Sequence, residues 1–311
     1  MAQPFPPLVF SRDFDPQTGV AVSVGRGIVR VTAPNASAYT FTGTNSFILG
    51  EERVAVLDPG PESESHRAAL LGAIGRRKVD AVVLTHTHRD HSAMAARLAR
   101  ELGAPLWFGG QHRLSRPLRR GERNPLKRSC DWSLVPDRVL QDGETILTGD
   151  LSLVVHATPG HCRNHLAFAA GDMLLSGDHV MGWNSTLVAV PDGSMGDYLD
   201  SLDKVIALPC RRYLPAHGGP IEDGPGYARA LRGHRQMRNE QVLEAVRSGA
   251  ETVGAIAARI YPKQSFAVRR AAAMTITAHV EYLASLHLLT IHHGLFGMRI
   301  RARPERSPRG K

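Results

Sequence analysis

Hydrophobic residues recur at every second position, or run together as β-branched stretches, over residues 20–31, 40–49, Arg53–Leu57, 79–84, Thr145–Thr148 and Leu151–Ala157. Alternate side chains of an extended segment share a face, so this spacing predicts strands. Short apolar runs at 173–177 and 213–216 read the same way. Stretches of strong helix formers lie between them, at Glu64–Ile74, 92–99 and 198–208. No simple βαβ repeat accounts for the order. Past the turn-forming cluster Glu222-Asp223-Gly224-Pro225-Gly226 the pattern changes. Helices are predicted there over 227–247, 252–260 and 265–289, then a β-ribbon over 291–300.

The run 79–84 ends in Thr85-His86-Thr87-His88-Arg89-Asp90-His91, which packs four candidate metal ligands into six residues. At a strand end His86 and His88 project the same way and can hold one metal together. Asp90 and His91 fall beyond the bend into the next helix and aim at a second position, so the loop can feed one metal or two. A zinc held by nitrogen and carboxylate donors needs ligands converging from several elements. Three follow in order, each at the end of an apolar run: His161 after Thr158-Pro159-Gly160, Asp178 after Ser176-Gly177, and His217 after Pro215-Ala216. Cys130, Cys162 and Cys210 have no C-x-x-C spacing, which suits a reducing compartment and gives them no ligand role.

These motifs, T-H-x-H-x-D-H, T-P-G-H, S-G-D and P-x-H-G, resemble those of the metallo-β-lactamase superfamily of hydrolases over about residues 20–220. The resemblance implies an αββα sandwich with the metals at one edge. It also implies that His86, His88 and His161 hold a first metal, that Asp90, His91 and His217 hold a second, and that Asp178 bridges them. Leu57-Asp58-Pro59-Gly60 matches the family's L-D-x-G and implies that Asp58 orients a ligand histidine. The implied cofactor is two Zn2+, with Fe or Mn also suiting the donors. A metal-bridging hydroxide, oriented by Asp90, would then drive hydrolysis, and the net positive centre would favour anionic substrates. Aspartates at 90 and 178, where B1 β-lactamases include a cysteine among the second-metal ligands, argue against antibiotic hydrolysis. His165 stands where many relatives have a histidine and is a candidate for facing the substrate. Trp183, Asn184, Ser185 and Tyr198, along the loop behind Asp178, are further candidates. His156 and His179 are assigned to packing or hydrogen bonding.

A chain of 311 residues, 42% hydrophobic, exceeds one average domain, so two are expected. Residues 225–311 carry 15 Lys and Arg against 5 Asp and Glu, whereas residues 1–224 carry 23 against 24. The expected division is a catalytic domain over 1–224 and a basic domain over 225–311, with a disordered tail from Arg301 to Lys311. Three helices and a ribbon read as a winged helix. The expected fold is therefore α/β, an αββα metallo-β-lactamase sandwich followed by a small winged-helix domain. This resembles the superfamily branch that includes a lactamase-like endoribonuclease, and His234-Arg235-Gln236-Met237-Arg238-Asn239 falls where that branch has a similar R-x-x-Q helix.

Arg269, Arg270, Arg299, Arg301 and Arg303 form a footprint that could attract phosphates. A second basic cluster, Arg113, Arg116, Arg119, Arg120, Arg123, Lys127 and Arg128, lies in an insertion between Phe108 and Leu140 and is expected to rim the site. The leading function is hydrolysis of a small anionic ester, thioester or lactone. Cleavage of single-stranded RNA held by the basic domain is the alternative, and a nucleic-acid-binding regulator comes third. The start of the chain has no signal-like segment and no run approaches 18 apolar residues, so the expectation is a cytoplasmic protein with no membrane partner.

Overall fold

Alternation in residues 53–57 becomes a strand shared between two cores. Its Ala55 and Leu57 face one hydrophobic cluster, while Val54 and Val56 face another. The computed structural model describes residues 5–264, 266–294 and 297–303. Seven strands form the first sheet in sequence order: β1 (Ala21–Gly25), β2 (Ile28–Thr32), β3 (Asn45–Leu49), β4 (Arg53–Leu57), β5 (Lys78–Val83), β6 (Leu106–Phe108) and β7 (Arg138–Val139). Pairing is antiparallel from β1 to β4 and parallel from β4 to β7. The second sheet has the order β12-β11-β10-β9-β8, from β8 (Thr145–Thr148), β9 (Leu151–Ala157), β10 (Leu166–Ala170), β11 (Met173–Gly177) and β12 (Arg212–Pro215).

The sheets bury one face against each other, with Phe47, Leu57 and Val83 from the first meeting Leu153, Phe168 and Leu214 from the second. Helices α1 (Glu64–Ile74) and α3 (Ala95–Leu102) cover the outer face of the first sheet through Leu70, Ile74 and Leu98. The one-turn helix α2 (Arg89–Ser92) precedes α3. Helix α4 (Met195–Ile206) and the first half of α5 (Gly224–Arg247) cover the outer face of the second sheet, where Leu202, Val205 and Leu231 pack with Leu174 and Tyr213.

The predicted strand over 20–31 splits at Arg26-Gly27, because Gly27 has φ 67° and turns the chain into a hairpin. The run over 40–49 extends only from Asn45; the residues before it form a loop beside the metal-ligand candidates.

The C-terminal elements are α5, α6 (Val253–Ile260), α7 (Phe266–Ser285), β13 (Leu289–Gly294) and β14 (Gly297–Ala302). Val242, Ile256, Ile276, Val280, Leu289 and Ile300 give them a core of their own. They also enter the neighbouring core, since Ala228 and Leu231 of α5 and Ala278 of α7 pack with α4. The helix predicted through 289 stops at Ser285, where His287 takes φ 62° and the hairpin begins. Arg301 and Ala302, placed in a disordered tail by sequence, pair in β14 opposite Thr290 and Leu289; residues 304–311 of that tail lie outside the described residues. Among the described residues no helix is long and apolar enough to cross a membrane.

Candidate metal centre

Strand β5 delivers His86 and His88 to one edge of the sandwich, and the isolated bridge between His88 and Cys130 fixes the loop that follows. His86 Nε2 and His161 Nε2 lie 3.0 and 2.8 Å from His88 Nδ1. These contacts look like hydrogen bonds until the protons are placed. His88 Nε2 faces the Asp192 carboxylate at 2.9 Å and His161 Nδ1 faces the Leu187 carbonyl at 2.7 Å, so each donates outward. The Thr85 hydroxyl donates to Asp58, so at 3.0 Å it accepts from His86 Nδ1. As neutral rings, all three imidazoles thus turn lone pairs toward one point, which suits a cation.

The second cluster obeys the same logic. His91 Nδ1 donates to Asp58 at 3.0 Å and His217 Nδ1 to the Gly43 carbonyl at 3.2 Å. Their Nε2 atoms are buried without a hydrogen-bond partner, as is Asp178 Oδ1. His217 Nε2 is 3.3 Å from both Asp90 Oδ2 and Asp178 Oδ1, and His91 Nε2 is 3.5 Å from each. The other Asp178 oxygen is 3.5 Å from His161 Nε2, so this carboxylate spans the two clusters. Ligand-capable atoms of His86, His88 and His161, and of Asp90, His91 and His217, lie within 4.8 Å of one another in each set.

Electrostatics give the same answer. Burial alone would lower His217, but Asp178 and Asp90 outweigh it and push it up to about 9; His91 is raised beside Asp90, Asp178 and Asp58. The carboxylates Asp90 and Asp178 are held below their ordinary range by these histidines in spite of burial. The site therefore demands positive charge at its centre. In the first cluster burial and the neighbouring imidazoles hold His86 well below its ordinary value and His161 down to about 4, so both stay neutral. Neutral imidazoles and ionised carboxylates are the states that bind metal. These orphaned nitrogens and carboxylate oxygens fit a pair of divalent cations.

Asp58 accepts from the Thr85 amide and hydroxyl, both at 2.7 Å, and from His91 Nδ1. It thereby ties strand β5 to a ligand candidate on α2. His165 sits behind the centre rather than facing outward: its Nδ1 donates to Thr158 Oγ1 at 2.8 Å, and its Nε2 accepts from the Asp178 amide at 3.1 Å. Asn184 lines the pocket together with Trp183 and Ser185. Tyr198 does not, contrary to the substrate-facing reading. It is fully buried, and its hydroxyl donates to the His179 carbonyl at 3.0 Å.

Asp192 escaped the sequence reading. Besides His88 it accepts from His112 Nε2 at 2.7 Å, and His112 Nδ1 lies 2.9 Å from Thr87 Oγ1. Asp192 is 104 positions from His88 and sits in a Pro-Asp-Gly stretch that reads only as a turn, so no local signal could have found it.

The sequence model of the metallo-beta-lactamase superfamily matches residues 39–217, more than half the chain. The chain belongs to that superfamily. Its homologues are metal-dependent hydrolases, and it is an enzyme of that class. It is 28% identical over 232 residues to a beta-lactamase-like protein 2 homolog from Drosophila melanogaster, covering 70% of this chain and 73% of the relative. It is 26% identical to the lactamase-like protein vrtG of Penicillium aethiopicum, covering 73% and 68%. Among solved structures, a beta-lactamase domain protein from Burkholderia ambifaria superimposes with a TM-score of 0.77 at 23% identity, over 94% of this chain and 96% of that one. A metallo-beta-lactamase family protein from Thermus thermophilus gives 0.74 at 25% identity, over 90% and 100%. Both superpositions run over most of this chain, whereas the family model ends at His217.

Above the clusters lies a cavity of about 440 Å3. His88, Asp90, His161 and Asp178 form its floor. Its walls come from three places: Tyr39 and Thr40 before β3, Pro125 and Leu126 of the insertion, and Met181 and Trp183 behind Asp178. Met274 of α7 closes it, so the C-terminal elements reach the pocket.

Of the insertion, Pro125, Leu126 and Ser129 line the cavity, and none of the basic residues expected to rim the site does. Arg116 is paired with Glu122 and Glu281, and Arg119 with Glu281, which ties the loop to α7. Arg89 differs. It is exposed at the pocket wall and has no acidic partner among the described residues.

Proposed function

We propose that this protein is a di-metal hydrolase, with zinc as the natural occupant, acting on a small anionic ester, thioester or lactone. His86, His88 and His161 would hold one cation, Asp90, His91 and His217 the other, with Asp178 between them. Two divalent cations held there would supply a hydroxide nucleophile at neutral pH and polarise the oxygen under attack. Asp90 is ionised and, at 29% side-chain exposure, the most open of the carboxylates, so it can accept a hydrogen bond from the attacking water and aim it. Asp58 and Asp192 hold His91 and His88 in the tautomers that leave a lone pair facing inward.

The pocket carries the choice of substrate. Its mostly apolar walls suit a compact body such as an acyl or ring group, and Arg89, without an acidic partner among the described residues, suits a carboxylate or phosphate on that body. A polyanion needs a track of free cations. Arg116 and Arg119 are held by Glu122 and Glu281, Arg299 and Arg301 share the single Glu251, and none of the described residues that line the cavity belongs to either basic cluster. We read the three C-terminal helices and hairpin as a winged helix whose task here is to wall the pocket through Met274 rather than to hold a strand.

The test is metal analysis of purified protein with parallel assays on an anionic thioester, an ester, a lactone, bis-nitrophenyl phosphate and a labelled single-stranded RNA, using Asp178→Ala as the blank. Turnover of the carbonyl substrates with weak salt dependence supports the reading. RNA cleavage that falls steeply with salt, and no carbonyl hydrolysis, refutes it. Freshly purified protein without bound metal refutes the di-metal centre.

A further inference from the structure

Arg235 of α5 is 2% exposed and has no carboxylate partner among the described residues, an expensive arrangement for a guanidinium unless its position matters. Its Nη2 donates to the carbonyl of Thr186, and its guanidinium carbon lies 5.2 Å from the centre of the Tyr198 ring. Both contacts lead to metal-ligand candidates. The Thr186 hydroxyl lies 2.7 Å from the Asp178 carbonyl and 3.0 Å from the His179 carbonyl, the two acceptors within its reach. The next residue, Leu187, supplies the carbonyl that takes the Nδ1 proton of His161. Tyr198 in turn donates to His179 and supports the turn that presents His161. Gly160 there has φ 136°, and a Cβ on it would stand 2.3 Å from Tyr198 Cα. One buried cation from the C-terminal helices therefore braces both segments that carry Asp178 and His161.

We propose that Arg235 is a positioning residue of the metal centre, holding the loop 178–187 and Tyr198 so that Asp178 and His161 face a common cation. The proposal rests on the ligand assignment above. A planar guanidinium can lie on a ring and donate sideways at once, whereas an ammonium or an amide cannot do both. The C-terminal elements then act on the chemistry as well as on the pocket wall.

The experiment compares zinc retention by wild type, Arg235→Gln and Arg235→Lys against a calibrated chelator, at a temperature where circular dichroism shows each protein folded. Arg235→Gln is expected to lose about 10- to 100-fold in zinc affinity, the usual effect of removing a group that orients a ligand. Thr186→Val should weaken retention in the same direction, and less than additively with Arg235→Gln, because both act through one loop. Folded Arg235→Gln with wild-type zinc affinity overturns the proposal. If that variant does not fold, Arg235→Lys decides: weakened retention supports the role, and wild-type retention overturns it. A wild type that takes up no zinc overturns the ligand assignment itself, so the two failures are distinct.

Discussion

Asp192→Asn removes one charge and leaves the outline of the side chain unchanged. In the native protein its two oxygens accept separately, Oδ2 from His88 Nε2 at 2.9 Å and Oδ1 from His112 Nε2 at 2.7 Å. An amide offers one acceptor and one donor, so only one histidine can keep its bond. If His112 keeps it, His88 escapes a donor–donor clash only by moving its proton to Nδ1, the atom that faces His86 and His161. A protonated nitrogen binds no cation. If His88 keeps it, the bond loses its charge assistance and His112 is left facing an N–H. Losing a charge-assisted bond in a buried site costs about 1.5–3 kcal/mol. That is about 10- to 150-fold in affinity of the first cluster for its cation. Zinc retention against a chelator at pH 7.5 measures this, with the melting temperature of metal-free protein as the check on folding. A folded Asp192→Asn protein that holds two zinc ions as tightly as wild type would refute the tautomer argument.

Asp90→Asn should lower kcat by about 100-fold or more if its carboxylate aims the attacking water; full activity with two bound metals removes that role. Glu281→Gln leaves Arg116 and Arg119 with Glu122 alone. Because these side chains are 15–35% exposed, the expected loss in urea unfolding is only about 1 kcal/mol, and no loss would mean that the tie between the insertion and α7 contributes nothing. His66 is fully buried, and burial lowers it to about 4. The unfolded chain charges this histidine below about pH 6.5 while the folded protein does not, so the unfolded state binds more protons there. Stability from its neutral form is complete above that pH and is lost as pH falls toward 4. The urea midpoint should therefore drop less steeply over that window in His66→Gln than in wild type, and equal slopes would refute the assignment.

Residues adjacent in sequence were the readable part of the site. His86, His88, Asp90 and His91 could be recognised because a strand end and a bend lie within six positions. His161, Asp178 and His217 each follow an apolar run that could only be a strand. What escaped was the outer layer. Asp192 and His112 meet His88 from two loops, and nothing near either marks it as a partner of a histidine. Tyr198 looked like a pocket residue because it follows the pocket loop, yet helix α4 turns it inward to pack under Gly160. Arg116 and Arg119 looked like free charge because their partner Glu281 lies more than 160 positions away.

The amino-acid order alone determined the strand and helix pattern and the ligand candidates, because periodicity and donor chemistry are local properties; the class of reaction came from the resemblance that its motifs carry. Only the folded chain decided which nitrogen of each histidine keeps its proton, which arginines remain charged toward solvent, and that helices past residue 224 reach back to the centre. Those outcomes depend on hydrogen bonds and ion pairs between segments far apart in sequence. Their energies exist only once the sheets have packed and water has been excluded from between them.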